Sequence, residues 1–353
     1  MAAIACLVTA HGFGHATRTA AVLEYLRNLS PDLDIRIITQ APRQIFADTL
    51  PSFTFHQENV DVGLVQSSAL TVDYPATIDK LDALLPYRPA RTAALADLCR
   101  GCSLILGDIA PWAVEVAECL GVPSVLVENF TWDFIYEGAA QAAPKLAVHG
   151  AYLGSVAGRA TYRIATAPRC HAHPCALACG PIFRRLRAGR ALTRSQLPGK
   201  GRAIVVITLG GVPQELAPQP FHRHPDILFV FSGQERTRQV TDNVFHLGRD
   251  EAIYHPDLIA AADLVVCKSG YSTIAECCQA GVRTLCIGRE DFAESAILQG
   301  YVAEHLGGTA ISATAFLSGL WLALLPRLLA TPPPRPCREN GAATVARFLS
   351  RLL

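Results

Sequence analysis

The sequence has almost no net charge and no long uninterrupted apolar segment. Among its 353 residues, 31 Lys and Arg balance 30 Asp and Glu, which gives a formal charge of +1. Proteins that bind nucleic acid usually present a basic face, so we expect no nucleic-acid partner. The longest late apolar stretch, residues 316–329, is interrupted by Ser318, Gly319, Pro326 and Arg327 and is too short to span a bilayer. A helix lying on a membrane surface stays open as an alternative, and with it a peripheral membrane contact.

The sequence also lacks a basic leader and a regular cysteine framework. Residues 2–8 are short and apolar and run directly into a glycine loop, so they indicate a first strand and not a signal peptide. The 12 cysteines are scattered, and several lie inside apolar patterns, where cysteine acts as a small hydrophobe. A disulfide scaffold is therefore disfavoured, and we expect a cytoplasmic protein.

A complete dinucleotide-binding fingerprint is missing as well. Gly12 and Gly14 begin a G-x-G-x-x pattern after the first strand, but Thr17 stands where a third small residue is required. The second strand ends at Thr39 and Gln40, without the acidic residue that would hold a ribose. A nicotinamide or flavin enzyme is thus disfavoured, and no cofactor is expected. What remains is a glycine loop at a helix N-terminus, where an anion or a sugar can approach backbone N–H groups.

Apolar runs alternate with helical patterns along both halves of the chain. The predicted strands are residues 4–9, 35–39, 103–106 and 122–127 in the first half and 203–209, 227–231, 244–247, 264–266 and 284–287 in the second. This spacing predicts an α/β protein with two Rossmann-like, doubly wound domains facing a central cleft. We place the domains at residues 1–183 and 184–337, with a C-terminal helix at 338–353 packing back on the first. Residues 57–76 are expected to form a long loop, and the weak pattern between 165 and 202 indicates the inter-domain region.

One stretch late in the chain has the pattern of an anion site. An apolar strand at 264–267 breaks at Ser269 and Gly270 and is followed by a helix whose first turn offers free N–H groups. Glu276 falls about 1.5 turns into that helix, where its carboxylate can receive the two hydroxyls of a ribose. We therefore expect this turn to hold the diphosphate and ribose of a nucleotide. An ordinary strand-to-helix junction is the alternative at this point.

Five segments together resemble one family. They are VTAHGFGHATR at 8–18, QSSALTVD at 66–73, NFTWDFIY at 129–136, KSGYSTIAE at 268–276 and REDFAE at 289–294. In this order they are similar to the N-terminal, glycosyltransferase-like half of plant L-arabinokinase and its stand-alone bacterial relatives. The sugar-kinase half of the plant protein has no counterpart here, so the resemblance does not imply kinase activity. More broadly, the second half of the chain is similar to GT-B glycosyltransferases of the MurG and UDP-glucuronosyltransferase type.

The resemblance implies which residues bind which substrate. The C-terminal domain would bind a nucleotide-sugar donor, with Glu276 on the ribose, the Ser269-Gly270 turn on the diphosphate and a second glycine loop at Gly210. The donor-side candidates are Gly210, Gly211, Ser232, Gly248, Lys268, Ser269, Gly270, Ser272, Thr273, Glu276, Arg289 and Glu294. The acceptor-side candidates are Gly12, Gly14, Arg18, Asn129 and Trp132. Where the wider pattern has a Gln-rich donor-sugar stretch, this chain has residues 291–294, which leaves the donor sugar open.

Two side chains are candidates for the base that glycosyl transfer requires. His15 would project from the glycine loop toward the cleft, although it can equally orient a phosphate or cap a helix. Asp108 follows the third predicted strand, where a cleft carboxylate or an Asx-turn is expected. Trp132 can stack on a sugar ring or fill the core.

No metal ion is expected at the site, because helix N-termini can stabilise the leaving diphosphate. The D-x-D match at Asp32 and Asp34 precedes a strand and indicates a turn. The Cys/His cluster at 170–179 offers five possible ligands in one compact run, and whether it binds metal stays open.

These residues predict a metal-independent glycosyltransferase. Its partners would be a nucleotide sugar, with UDP as the expected nucleotide, and an unknown acceptor. Two alternatives remain open: a nucleotide-sugar 2-epimerase, and a non-catalytic sensor that binds nucleotide sugars.

Overall fold

The backbone forms two seven-stranded sheets, each built from one half of the chain. The computed structural model describes residues 2–210, 219–248 and 253–353. In both sheets neighbouring strands are parallel, apart from one antiparallel pair at the edge of the second sheet. The predicted two-sheet α/β architecture is confirmed.

The strands fall into two sheets and a small hairpin. The first sheet contains β1 (Ala3–Val8), β2 (Asp34–Ile38), β3 (Thr54–His56), β6 (Leu104–Asp108), β7 (Ser124–Glu128), β8 (Tyr162–Thr166) and β9 (Leu177–Cys179). The hairpin is β4 (Gln66–Ser68) with β5 (Thr71–Val72). The second sheet contains β10 (Ala203–Thr208), β11 (Ile227–Gln234), β12 (Arg238–Thr241), β13 (Val244–Gly248), β14 (Leu264–Lys268), β15 (Arg283–Ile287) and β16 (Thr309–Ile311). The first sheet has the order β3-β2-β1-β6-β7-β8-β9 and the second the order β12-β13-β11-β10-β14-β15-β16, in which β12 and β13 are the antiparallel pair.

Helices connect the strands and cover the sheets. In the first half they are α1 (Gly14–Leu29), α2 (Arg43–Ala47), α3 (Tyr74–Leu84), α4 (Pro89–Leu98), α5 (Trp112–Leu120), α6 (Trp132–Gly138) and α7 (Lys145–Ala157). In the second half they are α8 (Arg190–Ser195), α9 (His255–Ala261), α10 (Tyr271–Ala280), α11 (Glu294–His305), α12 (Ala313–Leu317), α13 (Leu325–Ala330) and α14 (Gly341–Leu349). Two 3₁₀ turns lie at Phe221–Arg223 and Leu320–Leu324.

The central strands explain why the sequence shows continuous apolar runs. Every residue of β1 and β6 is buried, as are the first four residues of β14. A parallel strand covered by helices on both faces has no solvent-facing side, so its residues do not alternate between apolar and polar. Each of these strands can therefore be recognised from its own apolar sequence, without knowledge of the strands that pair with it.

The strand order creates a crevice in each half. From β1 the chain builds outward through β2 and then returns to β6 on the opposite side of β1. The same reversal occurs around β10, which lies between β11 and β14. Loops that leave such a reversal diverge and open a ligand site at the carboxyl ends of the strands. The glycine loop after β1 and the turn after β14 both lie at these positions.

Two segments differ from the sequence prediction. Residues 66–72, expected inside a long loop, form the β4–β5 hairpin. Residues 162–179 contain β8 and β9 and complete the first sheet. All but the first few of these residues were expected to belong to the inter-domain region. Both strands lack a long apolar run, because β8 carries Arg163 paired with Glu128 and β9 is a half-exposed edge strand of three residues. The predicted chain segment between the sheets is therefore shorter, beginning after Cys179.

The C-terminal helix lies against the first half of the chain. Ala342, Val345, Ala346 and Leu349 of α14 are fully buried in the same apolar cluster as Leu23 of α1. The exact domain limits at 183 and 337 stay a prediction. Within the described ranges, no helix is long and apolar enough to cross a membrane. All twelve cysteines are free thiols.

Candidate active site

A cavity of about 700 Å³ lies between the two sheets, at the carboxyl ends of β1, β10 and β14. Its walls include the glycine loop after β1, the start of α1 and the start of α10. The predicted site residues that line it are Gly12, Gly14, His15, Arg18, Gly210, Ser232, Gly248, Lys268, Gly270, Ser272, Thr273, Glu276, Arg289 and Glu294. The fold thus brings the predicted acceptor loop and the predicted donor turn to one cavity.

Direct hydrogen bonds hold the two halves together at this cavity. The Ser272 hydroxyl, in the first turn of α10, donates to the carbonyl oxygen of Gly14 at 2.6 Å. The Tyr271 hydroxyl accepts from the backbone N–H of Ile182 at 2.9 Å and also contacts the Thr166 hydroxyl. The two glycine-containing loops therefore face each other at close range.

His15 lies at the first turn of α1, with Asp108 behind it. Nδ1 of His15 is 3.1 Å from Oδ1 of Asp108, and the carboxylate also accepts from the Thr19 hydroxyl and from Arg18. Burial lowers the pKa of His15, and the bond to Asp108 only partly offsets this, so the imidazole is neutral at pH 7. Nη2 of Arg18 also lies 3.1 Å from Nδ1, so the proton of a neutral ring can lie on Nδ1, which then donates to Asp108, or on Nε2, with Nδ1 accepting from Arg18. In the first tautomer Nε2 has the free lone pair.

Asp108 itself does not reach the cavity. It is 1% exposed at the end of β6, and the expectation of a cleft carboxylate is corrected on this point. Burial alone would raise the pKa of Asp108, but Arg18 and His15 outweigh it and hold that pKa below its usual range. Its carboxylate is therefore ionised and fully engaged, which suits it to orient His15 and not to take a proton.

A chain of polar contacts continues from Arg18 across the domain junction. Nη1 of Arg18 donates to Oδ1 of Asn129 at 2.6 Å, and Nδ2 of Asn129 donates to Oε2 of Glu294 at 3.3 Å. Glu294 in turn accepts from Nη2 of Arg289 at 3.2 Å. Asn129 was expected to face the acceptor, but it lies behind the cavity wall and joins the halves.

The start of α10 offers unused backbone donors to the cavity. The first bond within this helix runs from the Ile274 N–H to the Gly270 carbonyl at 3.3 Å, so residues 271–273 have no helical acceptor. These N–H groups and the positive end of the helix dipole favour an anion here. Ser269 does not line the cavity, because its hydroxyl is buried against that of Ser295 at 2.6 Å.

Lys268 places a cation beside this helix terminus. Its side chain runs along Gly210, and a Cβ added at Gly210 would lie 2.7 Å from Cε of Lys268. Burial, together with the nearby Arg289, lowers the pKa of Lys268 to about 7, against a smaller opposing effect of Glu294. The ammonium has no hydrogen-bonding partner among the described residues, so it is available to an anionic ligand.

Glu276 lines the cavity one turn beyond the helix start, and it is already paired. Oε1 lies 3.0 Å from Nε and 2.9 Å from Nη2 of Arg184, and Oε2 lies 2.8 Å from Nδ1 of His255. Burial raises the pKa of Glu276, but these two partners outweigh it and hold the pKa below its usual value. The side chain is therefore a carboxylate at neutral pH.

Two further predicted residues have different positions from those expected. Trp132 is 1% exposed and donates from Nε1 to Oδ2 of Asp61 at 2.6 Å, so it fills the core and does not reach a sugar. Gly211 lies outside the described residues. Ser232 lines the cavity and its hydroxyl finds no partner in the described part of the chain.

Sequence reasoning missed several residues of the cavity wall. They include His11, Arg184, Arg187, Tyr254 and His255. His255 begins α9, far along the chain from Glu276, and Arg184 lies in a segment without regular periodicity. The run of arginines at 184–190 was the available signal, but its order along the chain does not reveal that one of them pairs with Glu276.

The Cys/His cluster at 170–179 extends from the loop after β8 into β9. Residues 170–176 join β8 to β9, and His171 contacts the Thr131 hydroxyl at 3.1 Å. Throughout residues 2–210, 219–248 and 253–353, no group of three or more His, Cys, Asp or Glu could hold a metal ion.

Comparison with known proteins identifies the fold. Residues 229–322 match the glycosyltransferase family 28 C-terminal domain. The solved structure of the kitacinnamycin glycosyltransferase superposes with a TM-score of 0.62 at 16% identity, over 99% of this chain and 94% of that one. A UDP-glucosyltransferase from Polygonum tinctorium gives a TM-score of 0.60 at 12% identity, over 99% and 98%. The chain has the GT-B glycosyltransferase fold.

A closer similarity in sequence connects the chain to one curated protein. It is 28% identical over 345 residues, 95% of its length, to L-arabinokinase of Arabidopsis thaliana. The match covers 32% of that protein, so the chain spans about a third of the relative's length. Together these findings confirm the resemblance predicted from the sequence.

Proposed function

We propose that the protein transfers a sugar from a nucleoside diphosphate to the hydroxyl of an acceptor. One observation carries the proposal: two groups line the same inter-domain cavity. The first is His15, a neutral histidine with the carboxylate of Asp108 beside its Nδ1, and the second is the start of α10 next to Lys268, which has no hydrogen-bonding partner within the described ranges. The first group suits a base, and the second suits an anionic leaving group. The name of the Polygonum enzyme supports UDP as the nucleotide.

In this mechanism the donor lies against the second sheet. The diphosphate accepts from the N–H groups at the start of α10 and is neutralised by Lys268, and Glu276 receives the ribose. Arg289 and Glu294 are then next to the transferred sugar. The positive charge of the helix terminus, Lys268 and Arg289 stabilises the leaving diphosphate, so the proposed reaction requires no metal ion.

Transfer follows from a single proton movement at His15. The acceptor oxygen bonds to the anomeric carbon while its proton passes to Nε2 of His15, and the bond from that carbon to the diphosphate oxygen breaks with its electron pair. Asp108 holds the Nδ1–H tautomer and stabilises the imidazolium that forms. Arg18 and Thr19 fix Asp108 in turn.

The test is a comparison of binding with turnover. Wild-type protein and His15→Ala are incubated with UDP-sugars and a library of hydroxyl acceptors, and product and free UDP are measured. We expect turnover to fall by ~10²-fold or more in His15→Ala, while UDP affinity changes less than about twofold. Equal turnover in both proteins would exclude His15 as the base. Donor binding without turnover on any acceptor would favour a sensor, and release of free UDP with an epimerised sugar would favour the epimerase.

A further inference from the structure

The carboxylate of Glu276 has an unequal set of partners on its two oxygens. Oε1 receives two N–H groups from one guanidinium, Nε and Nη2 of Arg184, at 3.0 and 2.9 Å. Oε2 receives one contact, from Nδ1 of His255 at 2.8 Å. Since each carboxylate oxygen accepts about two hydrogen bonds, Oε1 is saturated and Oε2 retains one free acceptor position.

Burial fixes this arrangement before any ligand binds. Glu276 is 3% and Arg184 6% exposed, whereas the His255 side chain keeps 31% of its surface accessible. The guanidinium of Arg184 also lies 5.0 Å from the ring centroid of Tyr254. The Arg184–Glu276 pair cannot turn into solvent, so the free acceptor position on Oε2 faces the cavity that Glu276 lines.

Arg184 belongs to the segment that crosses between the two sheets. Its neighbour Arg185 pairs with Glu24 of α1 at 2.9 Å, which ties the same segment to the first half of the chain. Asp257 accepts from the backbone N–H groups of Arg187 and Ala188 at 2.9 and 3.1 Å, which ties it to α9. The position of Arg184 against Glu276 is therefore set by both halves of the molecule.

We propose that Arg184 is a positioning residue that occupies Oε1 of Glu276 and leaves Oε2 to accept one ribose hydroxyl of the donor. The inference rests on the proposed function, because it assumes that a nucleotide ribose reaches Glu276. Glu276 then accepts from one ribose hydroxyl and not from the two that were expected from the sequence. In this role Arg184 acts through Glu276.

A binding cycle with deoxynucleotides tests the inference. UDP, 2′-deoxy-UDP and 3′-deoxy-UDP are titrated calorimetrically into wild type, Arg184→Met and the control Arg185→Met, which alters the same segment outside the cavity. For wild type and the control we expect one deoxy ligand to bind about tenfold or more weakly than UDP, and the other to bind less than twofold more weakly. In Arg184→Met the affinity for UDP should fall to about the affinity that wild type has for its weaker-binding deoxy ligand. The three ligands should then bind this variant with equal affinity. If Arg184→Met does not fold, Arg184→Lys serves, because an ammonium cannot reproduce the paired guanidinium contact.

The outcomes separate this inference from the proposed function. Wild-type protein that binds no nucleoside diphosphate contradicts the proposed function. Equal losses for both deoxy ligands in wild type would mean that Glu276 holds both hydroxyls, and the inference would be wrong. The same would follow if the Arg184 variants weakened all three ligands by one factor, since Arg184 would then contact the diphosphate or support only the fold.

Discussion

Nδ1 of His15 lies 3.1 Å from Oδ1 of Asp108, and the carboxylate behind the ring is buried and ionised. The two residues come from different elements, the first turn of α1 and the end of β6, and adjacent strands bring them together. Because Asp108 also accepts from Arg18, its orientation does not depend on a ligand. We expect this contact to orient His15 for the role of base that is proposed for it.

Replacement of Asp108 tests this pair. Asp108→Asn keeps the shape but removes the charge that holds the Nδ1–H tautomer, so we expect kcat to fall by ~10²-fold or more. It also leaves Arg18 without its buried counter-charge, at a cost of about 3–5 kcal/mol in the free energy of unfolding. Steady-state kinetics and urea unfolding measure the two effects. Unchanged kcat in a folded Asp108→Asn variant would contradict the role given to the carboxylate.

The pKa of Lys268 predicts a pH dependence of nucleotide affinity. Burial and Arg289 lower this pKa to about 7, and a bound diphosphate favours the charged amine, so binding takes up a proton. Affinity for UDP should therefore be highest below pH 7 and fall as pH rises from 7.5 to 9.5, by up to about tenfold per unit. Titration calorimetry in buffers of different ionisation enthalpy measures both affinity and proton uptake. Lys268→Met should bind more weakly with no such slope, and a wild-type affinity independent of pH would contradict the prediction.

Gly210 is predicted to be required for the position of Lys268. An alanine there would be strained at φ +71° and would place its Cβ 2.7 Å from Cε of Lys268. Gly201→Ala is the matched control, because Gly201 has φ +85° and nothing within 4 Å of an added Cβ. Both variants should lose about 1 kcal/mol or more of stability, but only Gly210→Ala should lose UDP affinity, by about tenfold. Equal affinities in the two variants would show that the position of Lys268 is unimportant.

The Asn129–Glu294 contact predicts coupling between the halves. Asn129→Asp would place a second carboxylate about 3.3 Å from Oε2 of Glu294, and the repulsion would open the domain junction. We expect kcat to fall by about tenfold or more while UDP affinity, which depends on the second half, changes little. Asn129→Ala removes the bond without adding charge and should show a smaller loss. A fall in UDP affinity equal to the fall in kcat would argue against this division of roles.

Much of the fold could be predicted from the sequence, because parallel strands buried on both faces give continuous apolar runs. Ile4, Leu106 and Val265 lie in such runs, and the strands that contain them were predicted. β8 and β9 were not, because Arg163 and the half-exposed edge position interrupt the apolar signal. The loops after β1 and β14 were predictable because glycine and small residues mark the ends of strands.

The sequence predicts those residues of the site that lie in local motifs, but not the contacts between distant segments. His15 lies in the first turn of α1, Lys268 ends β14 and Glu276 lies within α10, and the fold brings them to one cavity. The pairing of Glu276 with Arg184 and His255 depends on tertiary geometry across a segment without regular periodicity, and no spacing in the sequence encodes it. Trp132 and Asp108 were misplaced for the same reason, since burial decides whether an aromatic ring or a carboxylate faces the cavity or the core.

The proposed function depends above all on the binding of a nucleoside diphosphate in the cavity between the sheets, with Glu276 at the ribose. The direct measurement is calorimetric titration of wild type and Glu276→Ala with UDP, GDP, ADP and dTDP. We expect at least one of them, UDP, to bind wild type with a micromolar dissociation constant, and Glu276→Ala to weaken this binding by about tenfold or more. Failure of all four nucleotides to bind folded wild-type protein, or equal affinity for Glu276→Ala, would contradict this expectation.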